Sequence, residues 1–256
     1  MLVRLNYSYY DKVIDYIKKE PEYNLFSICD LEKYGCSQNF FKAWVDISDN
    51  GNIEAVLFKY FETLIFYGED EYESEEFLNL VRLLEYSDIS GKSKALDNFV
   101  KNLEFKKHEK VKFCKLQSLN TSFLDKNIHK VKKMKWTNIK KISQLYTNIE
   151  EFENTSTQNI KNILKSGRGY YIEEDRKAVA MAKSTSESNK YAMIVGVGTH
   201  PKYRGKGYAT ECLIKICEQL LKEEKMPCLM YNDESAGKIY QKLGFEYVGD
   251  WSIYKK

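Results

Sequence analysis

Residues Ile194–Ala209 read IVGVGTHPKYRGKGYA. Ile194–Gly198 is apolar or glycine at every position, which predicts a buried central strand over Tyr191–Thr199. Glycine weakens a strand, so Gly196 and Gly198 predict a bulge or a close backbone approach. Pro201 lacks an N–H and ends the ladder. Arg204, Gly205, Lys206 and Gly207 stand where an amphipathic helix, Gly205–Glu224, begins. Its stripe is Ala209, Cys212, Leu213, Ile216, Cys217 and Leu220. A helix start offers unpaired N–H groups and partial positive charge, and glycines let a ligand come close. With two added cations, that is the chemistry of a pyrophosphate site. Taken alone, the stretch also fits a tight strand-to-helix turn that holds nothing. It is not the dinucleotide fingerprint, because Thr210 stands where a third glycine belongs and the strand belongs to a meander. Nor is it a Walker loop.

Working downstream, Cys228–Tyr231 is a strand, and Tyr231–Phe245 reads YNDESAGKIYQKLGF. Asp233 can cap a helix over Asp233–Leu243 whose stripe is Ala236, Ile239, Tyr240 and Leu243. Gly244 ends it as a left-handed cap, and Phe245–Ile253 is the last strand. Tyr240 fits plain core, and it also fits a general acid beside a reacting sulfur. Working upstream, Tyr170–Glu174 and Ala178–Ser184 are strands, with a turn at Glu187–Asn189 before Tyr191. Thr137–Glu151 and Gln158–Leu164 read as helices, broken by Gly167 and Gly169.

The N-terminal half mixes elements. Tyr10–Lys19, Leu25–Tyr34, Glu75–Tyr86 (with Ser74 as N-cap) and Lys92–Asn102 carry helical spacing. Phe41–Ile47, Ile53–Tyr60, Thr63–Tyr67, Asp88–Ser90 and Val111–Gln117 read as strands. Asp49-Asn50-Gly51 is a hairpin turn. A meander followed by strand–helix–strand–helix–strand is an α+β layout.

The 256 residues suit two domains or one large one. The boundary is expected near residues 120–135, where a polar stretch precedes Lys126, Lys130, Lys132, Lys133 and Lys135. That run reads as a linker feeding an edge strand, or as a nucleic-acid patch. Residues 1–128 carry 17 basic and 22 acidic side chains, and residues 129–256 carry 23 and 15. The basic second half suits an anionic ligand. The N-terminus has no long apolar run and no 18-residue apolar stretch occurs, so neither a signal peptide nor a membrane span is expected. The six cysteines form no Cys-x-x-Cys pair, so free thiols, a cytoplasmic location and no metal site are expected.

These pieces together resemble the GNAT superfamily of acyl-CoA-dependent N-acyltransferases. Arg204, Gly207 and Ala209 match its Arg/Gln-x-x-Gly-x-Gly/Ala motif, approached through Thr199 and Pro201. Ala236, Tyr240, Gly244 and Phe245 match its downstream pattern. The family's asparagine position holds Asp233, with Asn232 beside it. The resemblance covers about residues 129–256. It implies the GNAT fold, a mixed and mostly antiparallel sheet flanked by helices, with two such modules in tandem. Residues 1–125 would be a degenerate GNAT-like or accessory domain and 126–256 the catalytic one.

The same resemblance implies acetyl-CoA as acyl donor and an amine of a small molecule or protein as acceptor. The chain would be a monomer or homodimer without nucleic-acid or membrane partners. Val197, Gly198 and Thr199 would meet the pantetheine. Arg204, Gly205, Lys206, Gly207, Tyr208, Ala209 and Thr210 would hold the pyrophosphate, with Asn232 and Asp233 nearby. Tyr240 would protonate the leaving thiolate. The base stays open among Glu173, Glu174, His200 and a water chain. A non-catalytic CoA-binding module is the alternative.

Overall fold

The computed structural model describes residues 1–122, 129–152 and 167–256. The helix expected over Gln158–Leu164, Lys126 and the expected boundary at 125/126 lie outside them. The chain forms two units, Met1–Phe113 with Val248–Lys256, and Cys114–Tyr247.

The first unit is built on a meander. Strands β2 (Phe41–Ile47), β3 (Ile53–Tyr60) and β4 (Thr63–Gly68) pair antiparallel in sequence order. The turn after β2 closes where the Gly51 N–H bonds the Ser48 carbonyl at 2.9 Å. Strand β1 (Leu2–Arg4) adds to the β2 edge; at three residues it is too short to show a period. Strand β5 (Asp88–Lys92) joins β4 in parallel. Helices α1 (Tyr7–Ile17), α2 (Leu25–Tyr34), α3 (Glu75–Leu83) and α4 (Ser93–Phe99) flank this sheet. Ser74 caps α3 by accepting the Phe77 N–H at 3.3 Å. Glu75 and Glu76 in its first turn and Arg82 in its last suit the helix dipole. The helix stops at Leu83, short of Tyr86, because Leu84 turns to extended backbone. Phe66, Phe77, Leu96 and Phe99 fill the core, and Phe66 and Phe99 stack with centroids 4.1 Å apart.

One assignment of residues needs correction. Val248–Lys256, expected in the second domain, belongs to the first unit. Most of the last strand, β12 (Phe245–Lys255), pairs antiparallel with β5, Trp251 opposite Lys92 through Lys255 opposite Asp88. Trp251 is buried and stacks on Tyr23, so an apolar anchor holds the strand there. Conversely, strand β6 (Lys107–Leu116) ends with Cys114–Leu116 in the second unit.

In the second unit the strand order is β11-β10-β9-β8-β7. These are β7 (Lys132–Lys133), β8 (Gly169–Glu174), β9 (Lys177–Thr185), β10 (Tyr191–Thr199) and β11 (Met226–Tyr231). The basic run thus does feed an edge strand, β7. Neighbours pair antiparallel except β10 and β11, which are parallel. Helix α6 (Tyr208–Lys222) buries Cys212, Leu213, Ile216, Cys217 and Leu220 against the sheet. Each leucine or isoleucine among them contributes about 1.5–3 kcal/mol over exposure. Ala209 is half-buried, and Tyr208 takes the buried place at the helix start.

Helix α5 (Ile139–Tyr146) packs Ile142, Leu145 and Tyr146 in a second cluster with Tyr171 and Met181. The expected helix Thr137–Glu151 is cut at Thr147, with 3-10 turns at Trp136–Asn138 and Glu150–Phe152. The Thr147 hydroxyl and Asn148 amide both donate to the Gln144 carbonyl, competing with the next helical turn.

Helix α7 (Glu234–Lys242) corrects a stripe. Ile239 is 40% exposed, and Gly237 is buried instead. A Cβ on Gly237 would lie 2.3 Å from the Tyr231 ring, so the helix meets β11 through its glycine and turns Ile239 outward. Gly244 follows with φ +100°, the expected left-handed cap. The cysteines at 29, 36, 114, 212, 217 and 228 are buried and form no disulfide. Among the described residues no helix is long and apolar enough to cross a membrane.

Candidate active site

The parallel ladder between β10 and β11 holds four residue pairs and ends at Ile194 opposite Leu229. Both strands run on, to Thr199 and Tyr231. On its other side β10 keeps pairing with β9, but with a bulge between Val195 and Gly198. Gly196 makes that bulge at φ +60°, in the left-handed region that favours glycine. The two parallel strands therefore part beside Val197, leaving backbone groups of one strand without a partner from the other.

Past the notch, the Arg204 side chain ties back to the Thr199 carbonyl at 3.3 Å. Gly205 and Gly207 both have φ near +80°, and a Cβ built on either meets nothing within 4 Å. Gly207 is the N-cap of α6 and supplies no side-chain cap. The first N–H groups of α6 thus have neither an intrahelical acceptor nor a capping oxygen. Arg204, Gly205, Lys206 and Gly207 are exposed, and Ala209 and Thr210 half-buried. Tyr208 is buried, its hydroxyl donating to Glu174 at 3.3 Å. A cradle of open backbone N–H groups between two cations fits an anionic phosphate chain.

Tyr240 is 9% exposed, with its ring 5.5 Å from Tyr231 at the end of β11. Its hydroxyl has no hydrogen-bond partner among the described residues. Burial first, and the Asp233 charge second, push the phenol up to about 12. It therefore holds its proton at neutral pH. Asn232 and Asp233 are exposed; the Asp233 carboxylate accepts the Ser235 N–H at 2.8 Å and is spent on capping α7.

The base candidates are drawn elsewhere. Glu173 is bridged by Lys141 at 2.8 Å and Lys132 at 3.0 Å, which hold its carboxyl below the ordinary range. Glu174 takes the Tyr208 bond. His200 accepts the Lys202 N–H at 3.2 Å and caps the 3-10 turn Pro201–Tyr203.

Lys183 was not singled out from sequence. It lies on β9 and is 1% exposed. Its ammonium sits 4.6 Å from the Tyr146 ring centroid, and it has no ion-pair partner among the described residues. A Cβ on Gly196 would lie 2.7 Å from the Tyr146 hydroxyl and 2.9 Å from Lys183 Cε. Gly169, opposite Lys183 on β8, leaves room for its stem. The available signal was a lysine inside Ala178–Ser184, otherwise apolar through Ala182. A second missed group is Arg168, which donates two bonds to half-buried Glu187 and also holds Glu223. A cleft of about 850 Å³ in the first unit, lined by Asp15, Tyr16, Glu54 and Glu69, contains none of these residues.

A bulged central strand, a parted parallel pair and a glycine cradle at the following helix define an acyltransferase-type α+β fold. The family model for GNAT acetyltransferases matches residues 28–254, and the chain belongs to that family. Solved structures share the fold. The GCN5-related N-acetyltransferase-like protein of Streptococcus suis is 13% identical, covering 97% of this chain and 99% of its own, with TM-score 0.63. A tandem GNAT protein from the clavulanic acid biosynthesis pathway is 11% identical, with 100% and 98% covered and TM-score 0.65. A GCN5-related N-acetyltransferase from Sphaerobacter thermophilus is 10% identical, with 100% and 95% covered and TM-score 0.67. No curated protein sequence matches the chain.

Proposed function

We propose that the chain is an acetyl-CoA-dependent N-acetyltransferase acting on a primary amine. The observation that carries this reading is the cradle at Arg204–Thr210 opening beside the notch between β10 and β11, with buried, protonated Tyr240 next to it. Backbone groups of Val197, Gly198 and Thr199 would meet the pantetheine amides, and the α6 N–H groups the pyrophosphate, with Asn232 at the rim. Acetyl-CoA brings an activated thioester, so the protein's work is to place the amine against it and manage protons. Tyr240 gives its proton to the leaving sulfur. The first unit serves as an accessory GNAT-like module in a tandem arrangement. Buried cysteines without a disulfide suit a reducing cytoplasm.

The test is calorimetric titration with acetyl-CoA, followed by release of free CoA against a panel of alkyl amines. Saturable binding with amine-dependent thiol release is expected. Binding without turnover would make the chain a CoA-binding module, and no binding would overturn the reading.

A further inference from the structure

We propose that Lys183 is the general base of this site, its ε-amine taking a proton from the acceptor ammonium beside the Gly196 bulge. The inference rests on the acyl-transfer reading above. An alkyl ammonium has no lone pair, so a proton must leave before nitrogen can attack. Glu173, Glu174 and His200 are engaged elsewhere, and β10 carries no ionisable side chain between Ala192 and Thr199. Lys183 reaches the bulge where the strands part: its Nζ lies 3.5 Å from the place a Gly196 Cβ would occupy.

The groups around it supply no counter-charge, and only the Tyr146 ring face, by cation–π attraction, favours the charged form. From α5 it faces Tyr146, and Lys141 on that helix bridges instead to Glu173. From β8 it faces Gly169, with Tyr171 further along the same cluster. Met134 closes the space at Gly169. No carboxylate pairs with it among the described residues. Burial lowers the ammonium to about 8, a value suited to a base near neutral pH.

The protons balance. The acceptor ammonium gives one proton to the Lys183 amine, which releases it to solvent. The freed nitrogen attacks the thioester carbon, the C–N bond forms, and the C–S bond breaks with its electron pair on sulfur. Tyr240 protonates that sulfur and regains a proton from the new amide nitrogen. Amine and acetyl-CoA become amide, CoA thiol and one solvent proton.

Lys183→Met keeps the chain length and an apolar fit. At pH 7.5 its kcat should fall by roughly 100-fold or more, with acetyl-CoA affinity unchanged. Wild-type kcat should rise with pH through an inflection near 8 that the variant lacks. Independently of activity, the Cε carbon resonance of Lys183, assigned by its loss in the variant, should titrate near 8 in the wild-type chain. An inflection at the ordinary lysine value of 10.5 overturns the proposal. So does a variant with wild-type kcat and pH profile, which leaves acyl transfer standing. A wild-type chain that binds acetyl-CoA but acetylates no amine defeats acyl transfer, and the base with it.

Discussion

Gly196→Ala tests whether the bulge is built around Tyr146 and Lys183. Two costs add. An alanine at φ +60° pays for left-handed backbone, about 1–2 kcal/mol. Its Cβ would also stand 2.7 Å from the Tyr146 hydroxyl and 2.9 Å from Lys183 Cε, inside a packed cluster. Overpacking of that kind costs about 1–3 kcal/mol. The sum, about 2–5 kcal/mol, corresponds to a drop in melting temperature of roughly 7–18 °C for a unit of this size. Gly205→Ala is the control: its φ is +80°, its Cβ meets nothing, and only the backbone cost applies. Thermal and urea unfolding of both variants should show Gly196→Ala the more destabilised by at least about 1 kcal/mol. Tyr146→Phe removes the atom that clashes hardest. Added to Gly196→Ala it should recover part of the loss, a coupling of about 0.5 kcal/mol or more. Equal losses at the two glycines, or strict additivity with Tyr146→Phe, would refute the crowding argument.

Tyr240→Phe should cut kcat by roughly 10–1000-fold while acetyl-CoA affinity by calorimetry stays the same, as a general acid requires; unchanged turnover removes that role. Gly207→Ala should cost only about 1–2 kcal/mol in unfolding but weaken acetyl-CoA by tenfold or more, because its methyl group stands in the cradle; full affinity would mean the phosphates sit elsewhere. Glu187→Gln should destabilise the chain by about 2–3 kcal/mol in urea at pH 7, since it strips charge-assisted bonds from Arg168 and Lys225. Burial alone would raise the Glu187 carboxyl, but hydrogen bonds from Arg168 and Ser184 hold it below 4.5. Such a carboxyl binds its proton more weakly folded than unfolded. Its stabilisation is therefore whole above about pH 4.5 and is lost as pH falls through the folded value. The urea midpoint should drop more steeply below that pH in the wild-type chain than in Glu187→Gln; parallel curves would refute the linkage.

What was legible in the sequence was local. Strand β10 and the Gly244 cap are each announced by residues within a few positions of the feature, because backbone conformation is set by neighbours; α6 begins at Tyr208 and not at the expected Gly205, because Gly205 and Gly207 both take left-handed backbone. The misreadings came from partners distant in sequence. Ile239 carries helical spacing for the core, but a glycine lets α7 approach the Tyr231 ring and rotates that isoleucine outward. The last strand follows α7 in the chain, yet Trp251 finds its aromatic neighbours on Tyr23 and Phe26. Apolar alternation identifies such a strand without saying which strand it pairs with.

The two sides of the candidate site differ in the same way. The donor side is a run of backbone, Val197 through Thr210, and needs chiefly glycine freedom and free N–H groups. Such requirements must appear as contiguous glycines, so they survive as a motif. The Lys183 side needs an amine that is buried, unpaired and next to the bulge. That condition takes α5 for Tyr146, β8 for Gly169, β9 for Lys183 and β10 for Gly196, and no spacing rule connects them. A lysine among alanines and methionine is ambiguous in sequence between an exposed end of a strand and a buried amine. It becomes chemistry only when the fold sets no carboxylate of the described residues against it and leaves a glycine where any side chain would displace it.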